Sequence, residues 1–97
     1  MRIISKKALI DYWTAVPPTE SELKAWHAEA KAANWATPAN VKAKYGSASI
    51  LKAGRVVFNI CGNNYRLVVQ INYDFRIIYI RFLGTHKEYD AINAQTI

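Results

Sequence analysis

Hydrophobic positions recur at helical spacing through the first half of the chain and at every second residue from Arg55 onward. The opening RII is short and β-branched and predicts a strand. Behind Ser5, which is placed as an N-cap, Leu9, Trp13 and Val16 lie three and four apart and predict a helix over KKALIDYW, stopped by Pro17-Pro18. Thr19 and Glu22 have the spacing of a capping box. Leu23, Trp26, Ala30 and Ala33 then form one apolar stripe, so a second helix is expected to about Asn34. Thr37-Pro38 starts a short third helix that closes at Tyr45-Gly46.

Three strand-like runs follow, RVVFNIC (55–61), YRLVVQINY (65–73) and IIYIRFL (77–83), joined by turns at Gly62-Asn63-Asn64 and Asp74-Phe75-Arg76. Thr85 and Glu88 form another capping-box pair and predict a last helical turn through Ile92. Helices grouped first and strands grouped last give an α+β fold in one domain, residues 1–97. An N-terminal strand and helices pack on an antiparallel β-meander, with a short C-terminal helix.

Alternation divides the meander into two faces. Val56, Phe58, Ile60, Leu67, Val69, Ile71, Ile78, Ile80 and Phe82 make an apolar face for the helices to cover. Arg55, Val57, Asn59, Cys61, Arg66, Val68, Gln70, Asn72, Ile77, Tyr79, Arg81 and Leu83 make the other. The interiors of these runs hold arginines and amides but no acid, which suits a phosphate-bearing ligand better than plain solvent. Tyr79 is placed to stack on a base.

Charge supports that picture. Thirteen Lys+Arg against seven Asp+Glu give a net charge of +6, favouring a polyanionic partner. The single cysteine, Cys61, excludes an intrachain disulfide and suits a reducing compartment; no Cys/His spacing suggests zinc. No apolar run approaches the ~18 residues of a membrane span and no signal-peptide pattern opens the chain, so a cytoplasmic protein without membrane attachment is expected.

Within RFLGTHKEYD (81–90), His86 falls at the first position of the terminal helix, where the helix dipole disfavours imidazolium. Tyr89 and Asp90 lie on its side of the helix, and Asp90 either raises its basicity or orients one ring nitrogen. A neutral base, the phosphate-gripping Arg66 and Arg81, and a phenol are the parts needed to cleave RNA without metal or other cofactor. The acids are scattered, without the paired spacing of a metal nuclease.

VVFNICGNNYRLVV (56–69) and YIRFLGTHKEYDAI (79–92), with VKAKYGSAS (41–49) and ISKKAL near the start, resemble the HigB family of type II toxins, part of the RelE-like superfamily. The resemblance implies a RelE-like fold and an mRNA interferase that acts on mRNA in the A site of the translating ribosome, on its small subunit. It also implies neutralisation by a helix-turn-helix antitoxin, with operator DNA bound only through the toxin–antitoxin complex. Carried onto this chain, it points to His86 as base, Tyr89 or Lys87 as acid, and Arg66 and Arg81 on the phosphate. Arg66 has an alternative role, tying down the GNN turn through backbone carbonyls. Arg55, Tyr79, Lys6, Lys7, Lys42, Lys44 and Lys52 are further candidate RNA contacts. A non-catalytic RNA-binding module, or a transcriptional co-repressor acting with an antitoxin, is the alternative.

Overall fold

A computed structural model describes residues 1–97. The element order is β1 (Arg2–Ile4), α1 (Lys6–Ala15), a 3₁₀ turn (Pro17–Thr19), α2 (Glu20–Ala32), α3 (Pro38–Lys44), β2 (Ser49–Ile50), β3 (Arg55–Ile60), β4 (Tyr65–Asn72), β5 (Ile77–Thr85) and α4 (His86–Asp90). The α+β order and the antiparallel β3–β4–β5 meander are as the alternation predicts. The sheet as a whole is mixed: its order is β1-β5-β4-β3-β2, and β1 runs parallel to β5, with Arg2 opposite Ile77. The two-residue β2 carries too little pattern to be seen in sequence.

The helices cover one face of this sheet. Leu9 from α1, Leu23, Trp26 and Ala30 from α2 and Val41 from α3 are buried against Val56, Phe58, Ile60, Leu67, Val69, Ile71 and Ile78. Phe58 is the hub. Trp26 and Tyr45 meet it edge-on at 5.4 and 5.1 Å between centroids, and Trp35 stacks at 6.4 Å. Each such pair adds about 0.5–1.5 kcal/mol beyond the area it buries.

Helix starts depart from the sequence reading in two places. Ser5 lies in the left-handed region (φ 76°) and its side chain caps nothing. Thr19 also makes no cap, because Pro17-Pro18 wind into a 3₁₀ turn and the Thr19 hydroxyl donates to the Val16 carbonyl at 2.7 Å. Glu22, expected to complete that box, instead accepts from the Cys61 backbone N–H across the fold. The capping boxes that form are Thr37–Asn40, whose asparagine disguises it, and Thr85–Glu88.

Gly54 is where β3 must pass close to β4. Its φ is +75°, and a Cβ there would stand 2.4 Å from the Ile71 carbonyl oxygen, so glycine is required both by conformation and by space.

The face away from the helices is shaped by a β-bulge. Val68 pairs with Phe82 but Val69 pairs with Ile80, leaving Arg81 as an extra residue in β5. Beyond it the alternation slips by one. Phe82 joins Val57 and Val68 on the open face, while Leu83 turns to the helix side, the reverse of the assignment by strict alternation. The open face is also partly roofed. The segment after α4 folds back so that Ala94, with Ile92 and Ile97, buries Val57 and Val68.

Candidate active site

α4 is held against the end of the sheet by three local features. The Thr85 hydroxyl accepts from Glu88 N–H at 3.1 Å, and the Glu88 carboxylate accepts from Thr85 N–H at 2.8 Å. These bonds hold the Glu88 carboxyl below the ordinary carboxylate range. The His86 N–H donates to the Asn64 carbonyl at 2.9 Å, which joins the helix start to the β3–β4 turn. At Gly84 a Cβ would meet the Phe82 ring at 2.7 Å and the Glu88 carboxylate at 3.0 Å, so the strand end admits only glycine without rearrangement.

On this frame the His86 Nδ1 stands 3.0 Å from Asp90 Oδ2, both side chains being about half exposed. A neutral imidazole in this pair carries its proton on Nδ1, donates it to Asp90 and leaves Nε2 free to accept. Arg66, whose β4 position pairs with Gly84, lays its guanidinium over the Tyr89 ring at 5.9 Å. Its Nη1 donates to the carbonyls of Asn63 at 2.9 Å and Tyr65 at 3.1 Å. The turn-tying role is therefore present, and one nitrogen performs it. Lys87 is exposed on the same helical turn. The His86–Asp90 pair and the Arg66–Tyr89 pair thus stand at one end of the open face, with Lys87 exposed on the same helix.

Arg81 is not among them. Its Nη2 donates to Gln70 Oε1 at 2.7 Å and its guanidinium lies over the Tyr79 ring at 5.4 Å. Gln70 is four residues along β4 from Arg66, about 13 Å at the usual rise per residue. Val68 and Phe82 stand between the two groups. Sequence reasoning merged them because it lacked the bulge.

The remaining candidate contacts are dispersed. Arg55 donates to the Ile97 carbonyl at 2.7 Å, and its Nε is buried without a partner. Lys7 pairs with Asp11 at 2.7 Å, Lys44 with Glu29 at 3.4 Å, and Lys42 donates to the Ala48 carbonyl at 2.6 Å. Lys52 is exposed, and Lys6 lines a small cleft with Arg2, His27 and Lys31. In that cleft partial burial and the two lysines lower the His27 pKa. The contact of Asp90 with Nδ1 is compatible with both roles that the sequence leaves open for it. Asn64 as the anchor of the helix start was missed, since a backbone carbonyl has no sequence signature.

A family model for the RelE-like toxic component of a toxin–antitoxin system, the HigB toxin, matches residues 19–92. The chain belongs to the HigB toxin family. It is 33% identical over 96 residues to the mRNA interferase toxin HigB of Escherichia coli K12, an alignment covering 97% of this chain and 92% of that protein. The mRNA interferases HigB of Escherichia coli O157:H7 and Shigella flexneri match with the same identity and coverage. The α+β architecture with its sheet and short C-terminal helix agrees with a RelE-like fold. As a HigB-family toxin, the chain has an antitoxin as its counterpart. No helix is long and apolar enough to cross a membrane.

Proposed function

We propose that this HigB-family toxin is an endoribonuclease that cleaves mRNA through the ribose 2′-hydroxyl, with His86 as general base. The 3.0 Å contact of His86 Nδ1 with Asp90 carries the reading, because it orients the ring and leaves Nε2 as the nitrogen without a partner in the fold. His86 Nε2 takes the 2′-hydroxyl proton, O2′ attacks the adjacent phosphorus, and the bond from phosphorus to O5′ breaks. Tyr89 or Lys87 protonates the departing O5′. The products are a 2′,3′-cyclic phosphate and a 5′-hydroxyl end, with no net redox change and no need for a metal. Arg66 has further N–H donors beyond the Nη1 that holds the turn, and these face the charge that builds on the phosphoryl oxygens.

The mRNA is bound in the A site of the ribosome, on the small subunit, and the exposed Lys6 and Lys52 make sequence-independent phosphate contacts. Lys7 and Lys44 join them by exchanging their exposed ion-pair partners, and Lys42 by giving up its bond to the Ala48 carbonyl. A helix-turn-helix antitoxin neutralises the toxin, and operator DNA is reached through that complex. The setting is cytoplasmic.

The test is tightly controlled expression of the chain without a partner, with 5′ ends of a translated reporter mRNA mapped by primer extension. Growth arrest with new ends inside the reading frame, absent in His86→Ala, is the expected result. Normal growth and intact message from well-expressed, folded protein overturn the nuclease reading in favour of RNA binding or co-repression.

A further inference from the structure

Where β1, α1 and α2 come together, four basic side chains meet with no acid among them. Arg2 from β1, Lys6 from the start of α1, and His27 and Lys31 one turn apart on α2 line a cleft of about 250 Å³ with Met1 and Ile3. We infer that this cleft binds a small, multiply charged phosphate, a phosphomonoester or pyrophosphate group on a free ligand. The inference goes beyond the nuclease reading and stands independently of it.

Elsewhere on the helices basic side chains find acids. Lys7 pairs with Asp11 at 2.7 Å, Lys24 with Glu20 at 3.0 Å and Lys44 with Glu29 at 3.4 Å. Glu22, the remaining acid of the helical half, accepts from the Cys61 N–H. Every carboxylate of that half is thus engaged away from the cleft. The side chains of Arg2, Lys6, His27 and Lys31 make no hydrogen bond or ion pair in the fold. Lys6 and Lys31 stand near enough to His27 to lower its pKa, together with its partial burial, so like charges face one another until an anion enters. The dipole of α1 adds to the field, since the helix starts at Lys6 and Ser5 supplies no side-chain cap. The Met1 amino group also borders the cleft, but it is spent on the Lys31 and Ala33 carbonyls at 3.0 and 2.7 Å.

Charge matching names the class of ligand. Arg2, Lys6 and Lys31 bring three positive charges to one small concavity, and His27 adds a fourth when it takes a proton. A backbone phosphodiester carries a single negative charge and leaves most of this unneutralised. A phosphomonoester carries about 1.5 to 2, and a pyrophosphate group more. Arg2 offers a planar fork for two phosphate oxygens, and the lysines act as point charges. The cleft is also remote from α4: Arg2 pairs with Ile77, roughly 25 Å along β5 from Thr85. Of its residues only Lys6 is also an RNA contact in the reading above. Because the site bridges β1, α1 and α2, a bound anion ties the edge strand to both helices and stabilises the folded chain.

The test uses the whole chain carrying His86→Ala, in which His27 is the only histidine, and follows the His27 ring by NMR as pH is varied. Inorganic pyrophosphate is the probe, and sodium chloride at equal ionic strength controls for screening. The expected result is saturable binding, a His27 titration midpoint raised beyond the chloride effect, and a higher melting temperature. Lys31→Gln and Arg2→Gln should each weaken pyrophosphate binding by roughly fivefold or more, while Lys31→Arg retains it. A His27 response no larger than chloride gives, or binding indifferent to Lys31→Gln and Arg2→Gln, overturns the site. Tighter binding of an RNA oligonucleotide with hydroxyl ends than of pyrophosphate also overturns it, making the cleft a nucleic-acid contact instead. None of these readouts involves mRNA cleavage, so the site and the nuclease reading can fail separately.

Discussion

Arg66 lies over Tyr89 while tying the carbonyls of Asn63 and Tyr65, so one side chain joins the β3–β4 turn to α4. Arg66→Lys keeps the charge but loses the planar fork that makes these contacts together. We expect a stability loss of about 1–2 kcal/mol by urea unfolding. Cleavage should fall further than that loss explains, because in the proposed mechanism the same fork holds the phosphate. Cleavage falling only in step with the folded fraction would restrict Arg66 to the turn.

The proposed mechanism gives His86 and Asp90 different roles, base and orienter. His86→Ala should lower the cleavage rate by roughly a hundredfold or more, as expected for loss of a general base. Asp90→Ala should cost less, and Asp90→Asn least, since the amide oxygen still accepts from Nδ1. RNA affinity, measured in parallel by filter binding, should change little in all three. If Asp90→Asn were as damaging as His86→Ala, the carboxylate charge would be essential and its role more than orientation.

Tyr45 and Glu29 give the fold a pH signature. The Tyr45 hydroxyl donates to Glu29; burial first, then this carboxylate, push the phenol well above its usual range, and the phenol in turn holds Glu29 low. A phenol with a raised folded pKa contributes stability in full below its unfolded value of about 10 and loses it as pH rises toward the folded value. The carboxylate with a depressed folded pKa contributes above its unfolded value and loses it as pH falls. Stability should therefore decline on both sides of a neutral plateau. Tyr45→Phe should flatten both slopes in thermal melts taken across pH; some alkaline loss should remain, because Tyr12 and Tyr73 are also raised by burial.

Gly54→Ala should destabilise by at least ~1–2 kcal/mol, since the backbone is left-handed and the methyl would strike the Ile71 carbonyl. Gly62→Ala is the control: its φ is +67° but nothing lies within 4 Å of its Cβ, so only the conformational part of the cost applies. Equal losses in urea titrations would show that the close approach at Ile71 is relaxed at little cost.

How far the sequence carries depends on whether a feature is local. The Thr85–Glu88 box, the alternation of β3, β4 and the first half of β5 and the stripe of α2 are set by neighbours along the chain, and they appear as expected. Thr19 and Glu22 have the same local spacing, yet both side chains go elsewhere: the Val16 carbonyl takes the hydroxyl within the 3₁₀ turn, and the Cys61 N–H, across the fold, takes the carboxylate. The bulge at Arg81 leaves no mark in RFLGT, because a slip of one residue is a property of two strands. The sequence grouped His86 with Arg66 and Arg81 alike, and only the first of the two arginines stands at α4. The separation of Arg81 from them was not legible.

The parallel pairing of β1 with β5 has a bearing on when this molecule becomes dangerous. Arg2, Ile3 and Ile4 have no partner strand until Ile77, Ile78 and Tyr79 exist, so the outermost strand joins last. Contacts so distant in sequence make folding slower and postpone it until most of the chain has been synthesised. The frame under α4 also waits for β5, and a growing chain accordingly carries no assembled His86 site. Whatever that cluster does therefore belongs to the nearly finished chain and to no shorter one.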